Sequence, residues 1–381
     1  METGTAKGKW RIAVICGDAG GVNAIIPVIR LLMDDPLIYL TIFSYRESRK
    51  ILRDKGIQYT ELEETIDSDE AAKILRTCRA DLLFLDTSLN SLAHTSMELE
   101  KLFIFAARNL GIPSFSVLDY WSNYTIRFSD NKKNLIYLPD KIAIMDKLAF
   151  DEMISEKFPP ETLIITGQPA FTELAEWRTS FTQTRKDRIF RSHAINLDDV
   201  LVVFASEPVF SGHPLHTQYP GYTEETVLTS LIGALETIQS EISTHIVLVI
   251  RPHPKEDPEK FKGVTSNRIR IIISTEEPTR DVVMSAHLVT GITSTILIEA
   301  AMLGCIVASL QPGLITKDIL PTNRTRITQP VYRNEEMPVI LKKLLLDHGI
   351  REKISVTVKA DNNEKNSARK VLDVIYSMLP H

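Results

Sequence analysis

The sequence predicts an α/β protein built from two doubly wound parallel sheets. Three observations carry that prediction. Short apolar runs alternate with helical patterns along nearly the whole chain. The alternation breaks once, in the polar and basic stretch 179–199 with Arg185, Lys186, Arg188 and Arg191, and then restarts. The length, 381 residues, exceeds one ordinary domain and suits two of roughly 150–200 residues each.

The elements follow in order. Residues 11–16 read as a strand, and 24–33 as a helix with Ile25, Ile29 and Leu32 on one face and Pro27 in its first turn. Strands are expected at 37–43, 57–60 and 81–85, with helices at 47–55 and 69–79. A helix over 97–110 is closed by Gly111 and Pro113. Further strands are expected at 114–118, 141–145 and 163–166. Beyond the basic stretch, 200–204 is a purely apolar strand and 224–239 a long helix. Strands at 245–250, 269–273, 287–290 and 306–310 follow, and 364–378 is a last helix. The domains read as 1–170 and 171–363, with 364–381 crossing back to the first.

Composition narrows the function class. Hydrophobic residues make up 44% and charged residues 24%, the profile of a water-soluble globular chain. The formal net charge is −5, which excludes nucleic-acid binding by bulk charge and requires any anion site to be local. Cys16, Cys78 and Cys305 form no CxxC pair, so no disulfide framework is expected. Residues 1–9 lack the apolar region of a signal peptide, and the longest apolar stretch, 295–310, is broken by Glu299. A cytoplasmic protein is expected, in which the N-x-T triplets at Asn123 and Asn323 are chance matches.

In open α/β sheets ligands bind beyond the carboxyl ends of the strands, so the loops after strands carry the candidates. Gly17-Asp18-Ala19-Gly20-Gly21 follows the first strand and permits close backbone approach, or serves as a plain turn. It is neither a dinucleotide fingerprint nor a P-loop. Arg251-Pro252-His253-Pro254 pins an imidazole between two prolines beside a guanidinium suited to phosphate. Thr290-Gly291-Ile292-Thr293-Ser294-Thr295 opens a helix with hydroxyl residues, which suits a phosphate cradle and suits N-capping equally. Glu299 in that helix needs a partner, and ribose hydroxyls would supply one. Asp119-Tyr120-Trp121-Ser122-Asn123-Tyr124-Thr125-Ile126-Arg127-Phe128 joins aromatic faces to polar groups, which suits a sugar or covers a core edge. The loop from Ser206-Glu207-Pro208 to Glu224 holds His213 and His216, without a carboxylate to complete a metal site.

Two Rossmann-like units, the Arg251-Pro252-His253-Pro254 loop and the run from Thr290 to Gly304 together resemble the GT-B superfamily of nucleotide-sugar glycosyltransferases and its relatives, the UDP-N-acetylglucosamine 2-epimerases. His253-Pro254 is similar to the HP motif of bacterial sialyltransferases and CDP-glycerol glycerophosphotransferases. The resemblance implies two units facing a cleft, with the nucleotide on the C-terminal one and the acceptor on the N-terminal one. It implies nucleotide-sugar contacts at Gly20, Gly21, Arg251, His253, Thr293, Ser294, Thr295 and Glu299, and acceptor contacts at Trp121, Asn123 and Arg127. Asp119 is the expected base, with Asp18 second. The chain departs from the 2-epimerases: Ser116-Val117-Leu118-Asp119 stands where they carry an H-x-E-A-G motif, and Leu85-Asp86-Thr87 lacks the glycine of their G-D-T segment.

The expected reaction is therefore metal-independent glycosyl transfer from a nucleotide sugar to a polysaccharide or lipid-linked acceptor, with no bound cofactor. Epimerisation or hydrolysis of a nucleotide sugar, and a non-catalytic nucleotide-sugar or partner-binding role, are the alternatives. The basic stretch 178–191 suits contact with anionic lipid, or a solvated helix face.

Overall fold

A computed structural model of the protein describes residues 9–87, 98–209, 219–254, 256–347, 349 and 366–380. The chain divides into two compact units, one of residues 1–173 with 362–381 and one of residues 174–361.

The first unit holds a seven-stranded parallel sheet. Its strands are β1 (Trp10–Cys16), β2 (Ile38–Ser44), β3 (Thr60–Glu61), β4 (Leu82–Leu85), β5 (Ser114–Val117), β6 (Lys141–Ile144) and β7 (Leu163–Ile165), in the order β3-β2-β1-β4-β5-β6-β7. The pleat of β1 explains its unbroken apolar run, because each face has its own core. Ile12, Val14 and Cys16 pack with Ile25 and Ile29 of the helix Ala19–Met33 and with Val371 and Ile375 of the helix Ser367–Met378. Ala13 and Ile15 pack on the opposite face with Leu75 and Phe103, from the helices Ser68–Cys78 and Leu99–Leu110.

The second unit holds a six-stranded parallel sheet. Its strands are β8 (Val200–Ala205), β9 (Ile246–Arg251), β10 (Arg270–Ile273), β11 (Leu288–Gly291), β12 (Val307–Leu310) and β13 (Gln329–Val331), in the order β10-β9-β8-β11-β12-β13. Val202 and Phe204 face Leu231 and Leu235 of the helix Glu224–Gln239. Leu201 and Val203 face Ile189, Phe190 and Val282.

Both sheets reverse strand order once, at β1/β4 and at β8/β11. At such a switch point the crossover connections leave in opposite directions, so the loops part and open a crevice. The candidate residues of each unit cluster at these two places.

Four local expectations change. The first helix begins at Ala19, not 24, so Gly20 and Gly21 belong to its first turn and Pro27 to its interior. Glycine permits that early start because carboxyl groups crowd the turn, as described below. The basic stretch 179–199 is not an interruption: it contains the helix Gln183–Ser192, whose Ile189 and Phe190 are buried under the second sheet. The strand expected at 57–60 is the two-residue edge strand β3, and β13, which contains Pro330, escapes a reading by apolar run. His213 and His216 lie outside the described residues.

Candidate functional site

In the first unit the loops after β1, β4 and β5 bring Asp18, Asp86 and Asp119 toward the start of the helix Ala19–Met33, and the helix Leu99–Leu110 adds Glu100 beside Asp86. A Cβ on Gly20 would lie 2.7 Å from Asp119 Oδ2, and one on Gly21 would lie 2.5 Å from Asp86 Oδ2. Only glycine lets the helix approach so closely, and its N-terminal dipole favours negative charge there. The Gly17 N–H donates to Asp86 Oδ2 at 3.3 Å. Asp18 precedes the helix and pairs with Arg46 at 3.7 Å.

Asp86 is fully buried and hydrogen-bonded to Glu100, itself nearly buried. The Tyr45 hydroxyl donates to Glu100 Oε2 at 2.6 Å. Burial, then the neighbouring Glu100 charge, holds the Asp86 carboxyl well above the usual carboxylate range. The same burial and the same two carboxylates push the Tyr45 phenol up. Two carboxyls in such contact cannot both ionise without strong repulsion.

Asp119 is bound differently. Arg127 pairs with its Oδ1 at 2.6 Å, and the Thr87 hydroxyl donates to the same oxygen at 3.2 Å. Arg127 also donates to the Thr87 carbonyl at 2.7 Å and is only 6% exposed. Trp121 is equally buried, its Nε1 donating to Asp146 at 2.8 Å and its ring stacked on Phe171. Arg127 and Trp121, expected to face an acceptor, are thus held inside the unit. The partners of Trp121, Asp146 and Phe171, lie outside the motif, whereas Arg127 pairs with Asp119 within it. Asn123 sits at the start of the short helix Tyr124–Phe128 with φ 59°, a left-handed conformation that asparagine tolerates.

In the second unit the switch point lies at the ends of β8 and β11. β11 ends at Gly291, where a Cβ would lie 2.9 Å from the Ala205 carbonyl of β8. Two residues later Thr293 meets Glu207, which follows β8. Glu207 Oε1 accepts the Thr293 N–H at 2.5 Å and its hydroxyl at 2.8 Å. Burial raises the Glu207 carboxyl to about 7, against the pull of those two bonds, with Glu256 and Glu224 adding to the rise. Ser294 caps the helix Thr295–Met302, accepting from the Ile296 N–H at 3.3 Å, and Thr295 is exposed.

The Arg251-Pro252-His253-Pro254 turn is fastened by Glu256. That carboxylate accepts the His253 N–H at 2.8 Å, the Ser206 hydroxyl at 3.1 Å and Lys260 Nζ at 2.5 Å. Arg251 turns toward its own unit, donating to the Ser274 carbonyl at 3.1 Å and the Thr279 hydroxyl at 3.1 Å. The partner that Glu299 requires is Arg280, whose Nε donates to it at 3.0 Å.

Sequence reasoning named the loops that hold Asp86 and Glu207 without giving either residue a role, and did not single out Glu100 or Glu256. Glu207 had a signal, a carboxylate directly after an apolar strand. Glu100 had a weaker one, a charge within the buried stripe of an apolar helix. Among the described residues no helix is long and apolar enough to cross a membrane.

No protein-family model and no curated protein matches the sequence. Solved structures do match. The fold is similar to UDP-GlcNAc 2-epimerase from Neisseria meningitidis bound to UDP-GlcNAc, with TM-score 0.68 at 13% identity over 96% of this chain and 100% of that one. It is similar to a glycosyltransferase from Rickettsia africae, with TM-score 0.67 at 13% identity over 98% and 99%. It is similar to Anabaena HepE in complex with UDP and glucose, with TM-score 0.64 at 11% identity over 97% and 100%. At such identity the likeness establishes the fold, two Rossmann-like units of the GT-B type.

Proposed function

We propose that this chain is an enzyme of nucleotide-sugar chemistry, with the nucleotide held by the second unit and proton transfer supplied by the carboxyl groups of the first. The observation that carries the reading is the β8/β11 switch point, where a glycine-ended strand runs into a hydroxyl-rich helix start at Thr293, Ser294 and Thr295. Backbone N–H groups and a helix dipole at such a place suit the charge of a departing nucleoside phosphate. The Neisseria and Anabaena proteins of the same fold were solved with UDP-GlcNAc and with UDP and glucose, which supports the same ligand class here.

Glycosyl transfer is the first reading. The bond from the sugar's anomeric carbon to the phosphate oxygen breaks, and a bond from that carbon to an acceptor oxygen forms. The nucleoside diphosphate leaves with the electron pair, and a carboxylate takes the acceptor's proton. Asp119 and Asp18 are the candidates for that base. A glycan or lipid-linked acceptor, contact with a membrane face and a cytoplasmic location belong to this reading. His253, Gly20 and Gly21 would border the substrate, and Asn123 the acceptor.

One observation favours a second reading, epimerisation or hydrolysis of the nucleotide sugar. The buried Asp86–Glu100 contact favours keeping a proton on the pair, and successive residues of one helix turn, Gly20 and Gly21, lie against Asp119 and Asp86, an arrangement that suits proton exchange on a single sugar.

The test begins with thermal shifts in UDP, CDP, CMP, GDP and ADP. A ligand at about 100 times its Kd adds about 2.7 kcal/mol, enough to see. Incubation with the matching nucleotide sugar then separates the reactions. Nucleotide release that requires an added glycan acceptor supports transfer, and turnover with no acceptor supports epimerisation or hydrolysis. Failure of every nucleotide to stabilise the protein would remove the proposal.

A further inference from the structure

We infer that Glu207 is a built-in competitor for the anion position of the second unit, so that a nucleotide diphosphate group binds only as Glu207 releases Thr293. The inference rests on the nucleotide reading above. The anion already seated on the Thr293 N–H is the protein's own carboxylate, which takes the neighbouring hydroxyl as well. An N–H carries one proton, and a phosphate oxygen and Glu207 cannot both accept it well.

The surroundings of Glu207 sharpen the competition. Glu256 faces it from the turn after β9, and Glu224 from the first turn of the helix Glu224–Gln239. Tyr222 lies within electrostatic reach from the segment before that helix. Lys260 pairs with Glu256 at 2.5 Å and with Glu224 at 3.6 Å. The carboxyls of Glu207, Glu256 and Glu224 thus meet the ammonium of Lys260, and an arriving diphosphate would add negative charge to them. Protonation of Glu207 relieves both problems at once. It cancels one charge and weakens the claim on Thr293.

The sign follows directly. Glu207 gains its proton near pH 7 in the free protein, and a nearby diphosphate raises its proton affinity further. Binding is therefore linked to proton uptake, and affinity falls as pH rises above that value. The contact makes donor binding sensitive to pH across the neutral range.

The experiment is calorimetric titration of the full chain with UDP-, CDP-, GDP- and ADP-linked sugars. Their diphosphate diesters keep constant charge across the pH range used, so the ligand contributes no titration of its own. The expected result is a Kd that rises by up to tenfold per pH unit above neutrality, the limit for one linked proton. Heats compared in buffers of different ionisation enthalpy should show net proton uptake. Glu207→Gln should flatten the pH dependence, and Glu207→Ala should tighten binding at alkaline pH. Binding without pH dependence or proton uptake in the wild-type chain overturns the inference and leaves the nucleotide reading standing. An unchanged slope in a folded Glu207→Gln variant also overturns it. Absence of binding by any of these sugars at any pH overturns the nucleotide reading, and this inference with it.

Discussion

Asp119 shows how a residue can be legible in sequence while its pairing is not. Its place after a strand marks it as a candidate base, but Arg127 holds its Oδ1 at 2.6 Å and Thr87 supports the pair. Asp119→Asn removes the charge and leaves a guanidinium that is 6% exposed without its ionic partner. We expect a loss of about 3–5 kcal/mol, read from the denaturant midpoint, because an uncompensated buried charge costs far more than the pair contributes. An unchanged midpoint would show that the pair is not structural and would free Asp119 for a purely chemical role. Gly21 offers a second test. Its Cβ would meet the Asp86 carboxyl at 2.5 Å, so Gly21→Ala should cost about 1–3 kcal/mol despite alanine's better helix propensity. A gain in stability would mean that Asp86 yields easily.

Elements were legible where one periodicity dominated. The strand β8 follows from an unbroken apolar run buried on both faces, and the helix Glu224–Gln239 from apolar residues at every third and fourth position. The helix Gln183–Ser192 was hidden because its exposed turns carry the charges and only Ile189 and Phe190 report the buried face. Phe190→Ala should therefore cost about 3–5 kcal/mol in an equilibrium unfolding measurement, the loss typical of a buried aromatic. A loss below 1 kcal/mol would mean that this helix does not cover the sheet. Pro27 illustrates the converse error. Its ring suggested a first turn, yet it lies inside the helix Ala19–Met33, where it withholds an N–H from the Asn23 carbonyl.

At the scale of the whole molecule the C-terminal helix Ser367–Met378 belongs to the first unit. Val371, Leu372 and Ile375, with Leu379 beyond its end, share a core with Val14, Ile25 and Ile29. Removing the chain from Ser367 onward would uncover those side chains at an upper cost of roughly 5–10 kcal/mol, comparable to the full stability of many domains. Hydrogen exchange should then show lost protection in β1 and β2 and retained protection in β8 and β9. Equal loss in both units would mean that the two fold as one cooperative body.

By itself the sequence determined the class, the order of the elements and the loops in which a site had to be sought. Those properties are local: an apolar run, a glycine after a strand or a hydroxyl cluster before a helix acts through neighbours a few residues away. Only the tertiary structure decided the partners: Arg280 for Glu299, Arg127 for Asp119, Glu100 for Asp86 and Glu207 for Thr293. Glu207 and Thr293 stand 86 residues apart and meet because β8 and β11 lie side by side at the switch point. No periodicity encodes such a meeting. It arises when the strands pair, and it decides which charged groups are satisfied within the protein.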